Sequence, residues 1–295
     1  MDGRGELVSR VYRRVRRPIP LVAESGVDDR APLEGGLTLV TGAASGIGRA
    51  LAHEFARHGH DLVLVDVDEA GLEAVTDEID TLAAGAVSLQ LAIDLTTPGA
   101  VDDIETALAE LEAPLEILVN NAGVPVYGPF STTDGGAERE MIRLNVEALT
   151  RLSDGLLAGM LERERGIVVH TASLAGVVPV PTAAVYSGTK AYVYSFSLAL
   201  AAELEGTGIS VTTLCPGETD TGFMNRGGMD ESAFTDGSDA LMAPETVARA
   251  AYAGAMAGER VVVPGWRNRL RYHLARVLPT RVAMAISRRL WSGTR

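Results

Sequence analysis

Tyr186 and Lys190 lie four residues apart in the stretch YSGTK, where the pattern predicts a helix and therefore places both side chains on one face. Lys190 is the only lysine among the 26 lysine and arginine residues. An ammonium at ~4 to 6 Å can lower the pKa of a phenol by about 1 to 3 units. Its compact head on a flexible stem also leaves donors for a second group, which a planar guanidinium does less readily. We therefore expect Lys190 to lower the pKa of Tyr186 and make it a proton shuttle.

Two further polar residues fit the same chemistry. Ser173 follows a predicted strand, at the carboxyl end where doubly wound parallel sheets bind ligands. Asn145 interrupts a predicted helix, where its amide can bond to water or to the backbone. Tyr186 and Lys190 alone would also fit an ordinary amphipathic pair, so the case for a site rests on the combination.

The elements that would position these residues alternate along the chain from Leu37 onward. Short β-branched runs predict strands at 37–41, 61–66, 86–94, 116–122, 166–172, 208–215 and 260–265. Helical patterns lie between them at 46–59, 68–84, 98–112, 136–164, 182–206 and 244–257. This alternation predicts an α/β fold with a doubly wound, seven-stranded parallel sheet. We expect a single domain at 36–265, an N-terminal extension at 1–35 and a C-terminal tail at 266–295.

A glycine-rich turn, TGAASGIG at 41–48, joins the first predicted strand to the first helix. Such a turn lets the backbone approach a pyrophosphate, whose charge then sits at the helix N-terminus. Asp66 ends the second strand, 18 residues after Gly48, where a carboxylate can accept hydrogen bonds from ribose hydroxyls. That carboxylate would repel a 2′-phosphate, and neither Ser45 nor Val67 offers a compensating positive charge, so NAD is predicted over NADP. Arg49 lies nearby and can reach a phosphate, which leaves NADP open.

Taken together, the motifs resemble the short-chain dehydrogenase/reductase family in its classical branch. The resemblance spans residues 36–265 and rests, in chain order, on TGAASGIG, Asp66, Asp94, NNAG (120–123), Asn145, Ser173, YSGTK and PG (216–217). It implies a Rossmann fold and an enzyme that moves a hydride between NAD(P) and an alcohol or ketone.

The resemblance also implies a catalytic tetrad. Tyr186 would pass a proton to or from the substrate oxygen, and Ser173 would hold that oxygen. Lys190 would tune Tyr186 and hold the cofactor ribose, while Asn145 would hold a water that links Lys190 to solvent.

The same resemblance implies a cofactor site and an assembly. Asp94 would lie near the adenine, the 121–123 turn would support the cofactor, and Thr221 would contact the nicotinamide carboxamide. The implied cofactor-binding residues are Gly42, Ser45, Gly46, Ile47, Gly48, Asp66, Asp94, Leu95, Asn121, Ala122, Gly123, Tyr186, Lys190, Pro216, Gly217, Thr219 and Thr221. Helices 136–164 and 182–206 would pair between subunits, which implies a homodimer or homotetramer.

Three segments that follow predicted strands should contact the substrate, namely 124–130, 174–182 and a long loop at 217–243. They are mostly apolar, and the apolar side chains of the last are Phe223, Met224, Met229, Phe234 and Met242. Arg226 is the one candidate there to bind a carboxylate. We predict a neutral, hydrophobic secondary alcohol or its ketone. The alternative without substrate binding is that these segments only pack against one another.

Composition excludes several other classes of function. The formal charge of −13, with the acidic excess in the body of the chain, argues against general nucleic-acid binding. Cys215 is the only cysteine, which rules out a disulfide within the chain and favours a reducing compartment. No signal peptide or membrane-spanning stretch is found, so a cytoplasmic location is predicted. The five histidines show no metal-binding spacing, and no metal site is predicted.

The C-terminal tail has its own pattern. Residues 264–295 carry eight arginines and no acidic residue, and apolar residues recur every four positions at Trp266, Leu270, Leu274, Leu278, Val282, Ile286 and Leu290. This predicts two amphipathic helices that are broken near Pro279. They can lie on an anionic membrane surface, or pack against the acidic body or a neighbouring subunit.

Two alternative functions stay open at this point. The first is a non-catalytic nucleotide-binding regulator, which would not need the intact set of serine, tyrosine and lysine. The second is a reductase of a carrier-bound or lipid substrate, for which the basic tail would be a docking site.

Overall fold

The computed structural model describes residues 36–82, 86–111, 113–228 and 241–291, without the side chains of 280 and 289–291. These residues belong to the compact unit Pro32–Arg295. The predicted extension at 1–35 lies outside the described residues, and so do Met229, Phe234 and the side chain of Leu290.

Seven parallel strands form one sheet. They are β1 (Leu37–Thr41), β2 (Leu62–Asp66), β3 (Val87–Ala92), β4 (Leu115–Asn120), β5 (Gly166–Thr171), β6 (Ile209–Leu214) and β7 (Val261–Val262). Their order is β3-β2-β1-β4-β5-β6-β7, and every neighbouring pair is parallel. The strand order reverses between β1 and β4, which is where doubly wound folds bind ligands. The predicted fold class is confirmed.

The last strand is shorter than predicted. The sequence pattern placed it at 260–265, whereas β7 has only two residues and pairs only with β6. Pro264 has no N–H to donate to a ladder, and Gly265 turns away with φ +83°. The strand therefore ends at Val262, before the end of the run of valines.

The helices cover both faces of the sheet. They are α1 (Gly46–Arg57), α2 (Glu69–Asp80), α3 (Ala100–Ala109), α4 (Gly135–Ile142), α5 (Leu149–Arg163), α6 (Ala184–Glu203), α7 (Phe223–Arg226), α8 (Pro244–Met256), α9 (Trp266–Val277) and α10 (Thr280–Trp291). A π-helical segment, Arg143–Ala148, joins α4 to α5, so the helix predicted at 136–164 contains one widened turn. The predicted loop at 217–243 contains the short helix α7.

The core consists of two apolar layers, one on each face of the sheet. Successive strand residues point to opposite faces, so Leu39 belongs to one layer and Val40 to the other. The layer with Val40 also holds Phe55 of α1 and Val247 of α8. The layer with Leu39 holds Leu152 of α5. Because both faces are covered, β1 and β5 are buried along their whole length.

One polar cluster lies inside this core. His170 of β5 is fully buried, with Nε2 at 3.0 Å from Ser153 Oγ and Nδ1 at 2.8 Å from Ser197 Oγ. Asn120 donates to the same Ser153 hydroxyl at 3.1 Å. The cluster ties β4 and β5 to α5 and α6, the helix that carries Tyr186. Burial lowers the pKa of His170 to about 3, so the ring is neutral near pH 7.

We expect His170 to make folding stability depend on pH. Its folded pKa lies below the ordinary value of 6.5, so its contribution is fully present above pH 6.5 and is lost as pH falls towards 3. Between pH 7 and pH 5 this loss should reach about 2 kcal/mol in the free energy of unfolding. Urea unfolding of wild type and His170→Asn at both pH values measures it.

The His170→Asn protein should lose less stability than wild type over this interval, because its side chain cannot take up a proton. The exposed His273→Asn is the control and should keep the pH dependence of wild type. An unchanged pH dependence in His170→Asn would contradict the assignment.

Candidate active site

The carboxyl edge of the sheet opens onto one cavity of about 820 Å³. Residues following β1, β2, β4, β5 and β6 line it, so the fold brings together positions that are far apart in the sequence. The predicted site residues in its wall are Gly42, Ser45, Gly46, Ile47, Asp66, Asp94, Leu95, Asn121, Ala122, Gly123, Ser173, Tyr186, Lys190, Pro216, Gly217, Thr219 and Thr221. Gly48 and Asn145 do not line it.

The glycine-rich turn is shaped by close approaches that exclude side chains. Gly42 and Gly46 have φ of +67° and +55°, a region that favours glycine. A Cβ at Gly42 would lie 2.9 Å from Ala122 Cα, and one at Gly46 would lie 3.0 Å from Thr221 Cβ. A Cβ at Gly48 would collide with the carbonyl of Gly42, so Gly48 serves the packing of the turn. This bare backbone at the start of α1 fits the pyrophosphate of a dinucleotide.

Asp66 is held in place by backbone donors. Its Oδ2 accepts from Ala44 N at 3.0 Å, and its Oδ1 accepts from Val67 N at 2.8 Å and Asp68 N at 3.1 Å. The carboxylate is therefore fixed at the end of β2, in the wall of the cavity. Asp94 is similarly fixed, since its Oδ1 accepts from the backbone and hydroxyl of Thr96 at 2.9 and 2.7 Å.

Arg49, which left the cofactor choice open, is engaged elsewhere. Its Nε and Nη2 donate to the two carboxylate oxygens of Glu78 at 2.9 and 2.6 Å. A bidentate pair of this kind fixes the orientation of the guanidinium. In this structure Arg49 is therefore paired with α2, and it does not line the cavity.

Thr41 and Asn121 form the hydrogen bonds that connect neighbouring strands at the carboxyl edge of the sheet. The Thr41 hydroxyl accepts from Asn121 N and Ala122 N, both at 3.0 Å. The Asn121 amide donates to Thr41 O at 3.1 Å and accepts from the Thr171 hydroxyl at 3.3 Å. These bonds join the carboxyl ends of β1, β4 and β5. Sequence reasoning did not single out Thr41, although it opens the glycine-rich motif.

Tyr186 and Ser173 both line the cavity, and the Ser173 hydroxyl lies close enough to the phenol to affect its pKa. Ser173 Oγ also accepts from Ala175 N at 3.1 Å, which orients the hydroxyl at the end of β5. Burial raises the pKa of Tyr186 to about 12, and the nearby Ser173 hydroxyl offsets only part of that rise. Near pH 7 the phenol therefore keeps its proton.

Lys190 is also buried, and its Nζ donates to the carbonyl of Thr171 at 2.8 Å. Burial lowers its pKa to about 8, against a smaller opposing effect of the neighbouring Cys215. The expectation that Lys190 lowers the pKa of Tyr186 is wrong for this structure. Loss of solvation dominates at both groups, because burying either ion costs more than the nearby groups return.

Asn145 supports this region from behind. It lies in the π-helical segment, is 1% exposed, and bonds both backbone groups of Val124, with Oδ1 accepting from N and Nδ2 donating to O at 2.9 Å each. A Cβ at Gly123 would lie 3.0 Å from Asn145 Oδ1 and 3.4 Å from Lys190 Nζ. Glycine thus lets the loop after β4 pass close to both side chains. Such π turns are frequent at functional sites.

The predicted substrate segments supply much of the remaining wall. The contributing residues are Val124, Tyr127, Leu174, Ala175, Val177, Val178, Val180, Phe223, Met224 and Arg226. Met242 does not line the cavity. The rings of Tyr127 and Phe223 lie 5.8 and 5.9 Å from that of Tyr186, measured between centroids. The wall around the phenol is therefore largely apolar.

Sequence reasoning missed the contribution of the C-terminal helices to the cavity. Their lining residues are Arg271, Tyr272, Leu274, Ala275, Leu278, Ala283, Ile286 and Ser287. Arg271 pairs with Glu218 at 3.2 Å, and Ser287 Oγ donates to Pro179 O at 3.0 Å, so both helices are attached to the substrate segments. The sequence contained one signal for this contribution, namely the polar and small residues that lie between the apolar residues of the repeat.

A doubly wound sheet with a bare glycine cradle and a serine–tyrosine pair in one cavity defines a nucleotide-dependent oxidoreductase. The family model for short chain dehydrogenases matches residues 37–231, and the chain belongs to this family. Its members are dehydrogenases and reductases that act on alcohols or ketones with NAD or NADP.

Individual relatives agree with this membership. The chain is 34% identical over 249 residues to a very-long-chain 3-oxoacyl-CoA reductase-like protein of Arabidopsis thaliana, covering 83% of this chain and 78% of that one. A short-chain dehydrogenase from Sphingobium yanoikuyae, in complex with NADPH, has a TM-score of 0.72 at 31% identity over 88% of this chain and 96% of that one. A 3-ketoacyl-(acyl-carrier-protein) reductase from Brucella melitensis, complexed with NADH, has a TM-score of 0.71 at 29% identity over 80% and 99%.

Within the described residues, no group of three or more His, Cys, Asp or Glu side chains is arranged to hold a metal ion. In the same part of the chain, no helix combines the length and apolar character needed to cross a membrane.

Proposed function

We propose that this protein is an NAD-dependent oxidoreductase that interconverts a hydrophobic secondary alcohol and its ketone, with Tyr186 as general acid and base. The observation that carries the proposal is that Ser173, Tyr186 and Lys190 line the same cavity as the glycine cradle and Asp66. The cradle would hold the pyrophosphate, Asp66 the adenosine ribose and Lys190 the second ribose. When bound, the nicotinamide supplies or accepts the hydride.

The protein's own residues would handle the proton. In reduction, the Tyr186 hydroxyl gives its proton to the carbonyl oxygen as the carbonyl carbon gains the hydride. In oxidation, the phenolate takes the alcohol proton as the carbinol carbon loses the hydride. The Ser173 hydroxyl donates a hydrogen bond to the same oxygen, which stabilises the negative charge that develops there. Asn145 would hold the loop at Gly123 and Val124 and a water beside Lys190.

The preference for NAD is supported by the charges at the adenosine end. Asp66 presents a carboxylate where NADP would carry its 2′-phosphate. Arg49, the cation that can oppose this, is paired with Glu78. The relatives do not decide the matter, since the Sphingobium enzyme was solved with NADPH and the Brucella enzyme with NADH.

The substrate class is supported by the apolar wall around Tyr186. A second candidate, a reductase of a carrier-bound or lipid ketone, is favoured by the lining from the C-terminal helices and by the names of the Arabidopsis and Brucella relatives. A non-catalytic regulator is less favoured, because binding a nucleotide does not require the Ser173–Tyr186 pair.

Assembly and location are proposed on fewer observations. A homodimer or homotetramer that pairs α4, α5 and α6 between subunits would cover Ile142 and Tyr192, which are exposed. A cytoplasmic location is proposed because Cys215 is the only cysteine and is buried as a free thiol.

Removing the phenol hydroxyl should abolish turnover but spare nucleotide binding. Tyr186→Phe is expected to lower kcat by at least about 10²-fold, because the proton relay is lost. Its Kd for NADH, followed by fluorescence titration, should stay close to that of wild type. Tyr192→Phe, a change on the same helix outside the cavity, is the control for kcat in a screen of secondary alcohols and ketones. A Tyr186→Phe protein that turns over at the wild-type rate would contradict the assignment of Tyr186.

The two reaction directions should depend differently on pH. Since the pKa of Tyr186 is raised to about 12, the protonated donor needed for ketone reduction is present across the neutral range. Alcohol oxidation requires the phenolate, so its rate should climb with pH by up to about tenfold per unit. Initial rates in both directions from pH 6 to pH 10 measure this. An oxidation rate that is flat over this interval would mean that the phenol titrates well below pH 6 in the working enzyme.

Replacing Asp66 should relax the choice of cofactor. Asp66→Ser is expected to tighten NADPH binding by about tenfold and weaken NADH binding, because the repulsive carboxylate is removed. Fluorescence titrations with both nucleotides measure the ratio of their Kd values. Asp61→Ser changes an exposed acid next to the opposite end of the same strand and should leave the ratio unchanged. If wild type itself binds NADPH more tightly than NADH, the proposed preference is wrong.

A further inference from the structure

We infer that the outer face of α9 and α10 binds an anionic lipid surface and places the mouth of the cavity against it. The two helices have distinct faces. The inner face carries Asn268, Tyr272, Ala283 and Ser287, which are all buried against the body of the protein. Tyr272 shares a hydrogen bond of 2.7 Å with Tyr194 of α6, and Asn268 Nδ2 donates to Pro264 O at 3.0 Å. Polar and small side chains of the inner face thus take part in attaching the helices to the body.

The outer face is an exposed apolar stripe. Its residues and exposed fractions are Trp266 68%, Leu270 53%, Leu274 45%, Val277 77%, Val282 43% and Ile286 47%. A run of large exposed apolar side chains on consecutive turns marks an interaction surface. The acidic body of the same molecule does not cover this stripe, because the helices pack against the body through their inner face.

Arginines surround the stripe. Residues 264–295 carry eight arginines and no acidic residue. Among them, Arg269, Arg281 and Arg288 form no side-chain hydrogen bond or ion pair with any residue that the structure describes. Arg267 stands over the ring of Trp266, with Cζ at 5.4 Å from the ring centroid. Apolar residues within an arginine-rich face are typical of helices that lie in an anionic membrane interface, where tryptophan sits at the level of the headgroups.

A second copy of the chain fits this face less well than lipid does. A symmetric dimer places the same patch against itself, and here that would press two arginine-rich faces together. Like charges brought together in this way oppose association. Anionic headgroups complement the arginines, and the acyl chains receive the apolar side chains.

The proposed contact with lipid would also affect how a substrate reaches the cavity. Leu274 and Ile286 belong to the exposed stripe and also line the cavity, so the apolar surface continues into the cavity wall. On the proposed function, an apolar alcohol or ketone would pass from the lipid to Tyr186 without crossing water. The binding to lipid itself does not rest on that function.

Vesicle sedimentation tests the inference with the full chain and with neither nucleotide nor substrate present. Wild type should sediment with vesicles of phosphatidylcholine and phosphatidylglycerol, and should bind pure phosphatidylcholine at least about tenfold more weakly. Added salt should release it, because the attraction is partly electrostatic.

Matched variants separate the apolar and charged contributions. Leu270→Glu and Leu82→Glu alter leucines of nearly equal exposure, 53% and 52%, and neither lines the cavity. The first should weaken binding to the anionic vesicles by at least about tenfold, and the second should leave it unchanged. Arg269→Gln removes one unpaired arginine and should weaken binding by a few-fold. Thermal unfolding verifies that each variant is folded.

The inference is overturned if wild type stays in the supernatant with anionic vesicles, or if Leu270→Glu binds them as wild type does. Sedimentation equilibrium without lipid distinguishes the other occupant. If wild type does not bind vesicles but associates in solution, and Leu270→Glu dissociates it, the stripe is an interface between copies of this chain. None of these results depends on catalysis, so they leave the proposed oxidoreductase function to its own tests.

Discussion

The active-site cavity depends on a short set of hydrogen bonds that clamps three strand ends together. The Thr41 hydroxyl accepts from two successive amides after β4, and the Asn121 side chain reaches back to β1 and across to β5. These bonds hold the glycine turn, the loop at Gly123 and the strand leading to Ser173 at fixed separations. These hydrogen bonds therefore hold the glycine cradle and the serine–tyrosine pair at the same cavity.

Burial shifts the pKa values of three ionisable groups in and near the cavity. Tyr186, Lys190 and His170 are all buried, and loss of solvation moves each pKa in the direction that disfavours the ion. The result near pH 7 is a phenol that keeps its proton, an ammonium that still carries its charge although its pKa is lowered to about 8, and a neutral imidazole. Lys190 and His170 are nevertheless hydrogen-bonded, which is what makes their burial tolerable. On the proposed function, Tyr186 therefore carries the proton that ketone reduction needs before any substrate binds.

The C-terminal helices connect this interior to the surface. Their inner face completes the cavity next to the substrate segments, and their outer face carries the apolar stripe among arginines. Leu274 and Ile286 take part in both, so the exposed stripe continues into the cavity wall. This part of the wall is largely apolar, whereas the carboxylates Asp66 and Asp94 line another part of the cavity.

The sequence by itself determined the doubly wound sheet, the glycine turn and the pairing of Tyr186 with Lys190 on one helical face. These features follow from local periodicity and from residue types with few alternative uses. Only the tertiary structure decided the pKa of Tyr186, the commitment of Arg49 to Glu78 and the face on which the tail helices pack. Each of these depends on how deeply a group is buried and on what lies beside it across the fold. The stripe from Trp266 to Ile286 shows the difference: its periodicity was readable in the sequence, but its exposure was set by Asn268, Tyr272, Ala283 and Ser287 occupying the inner face.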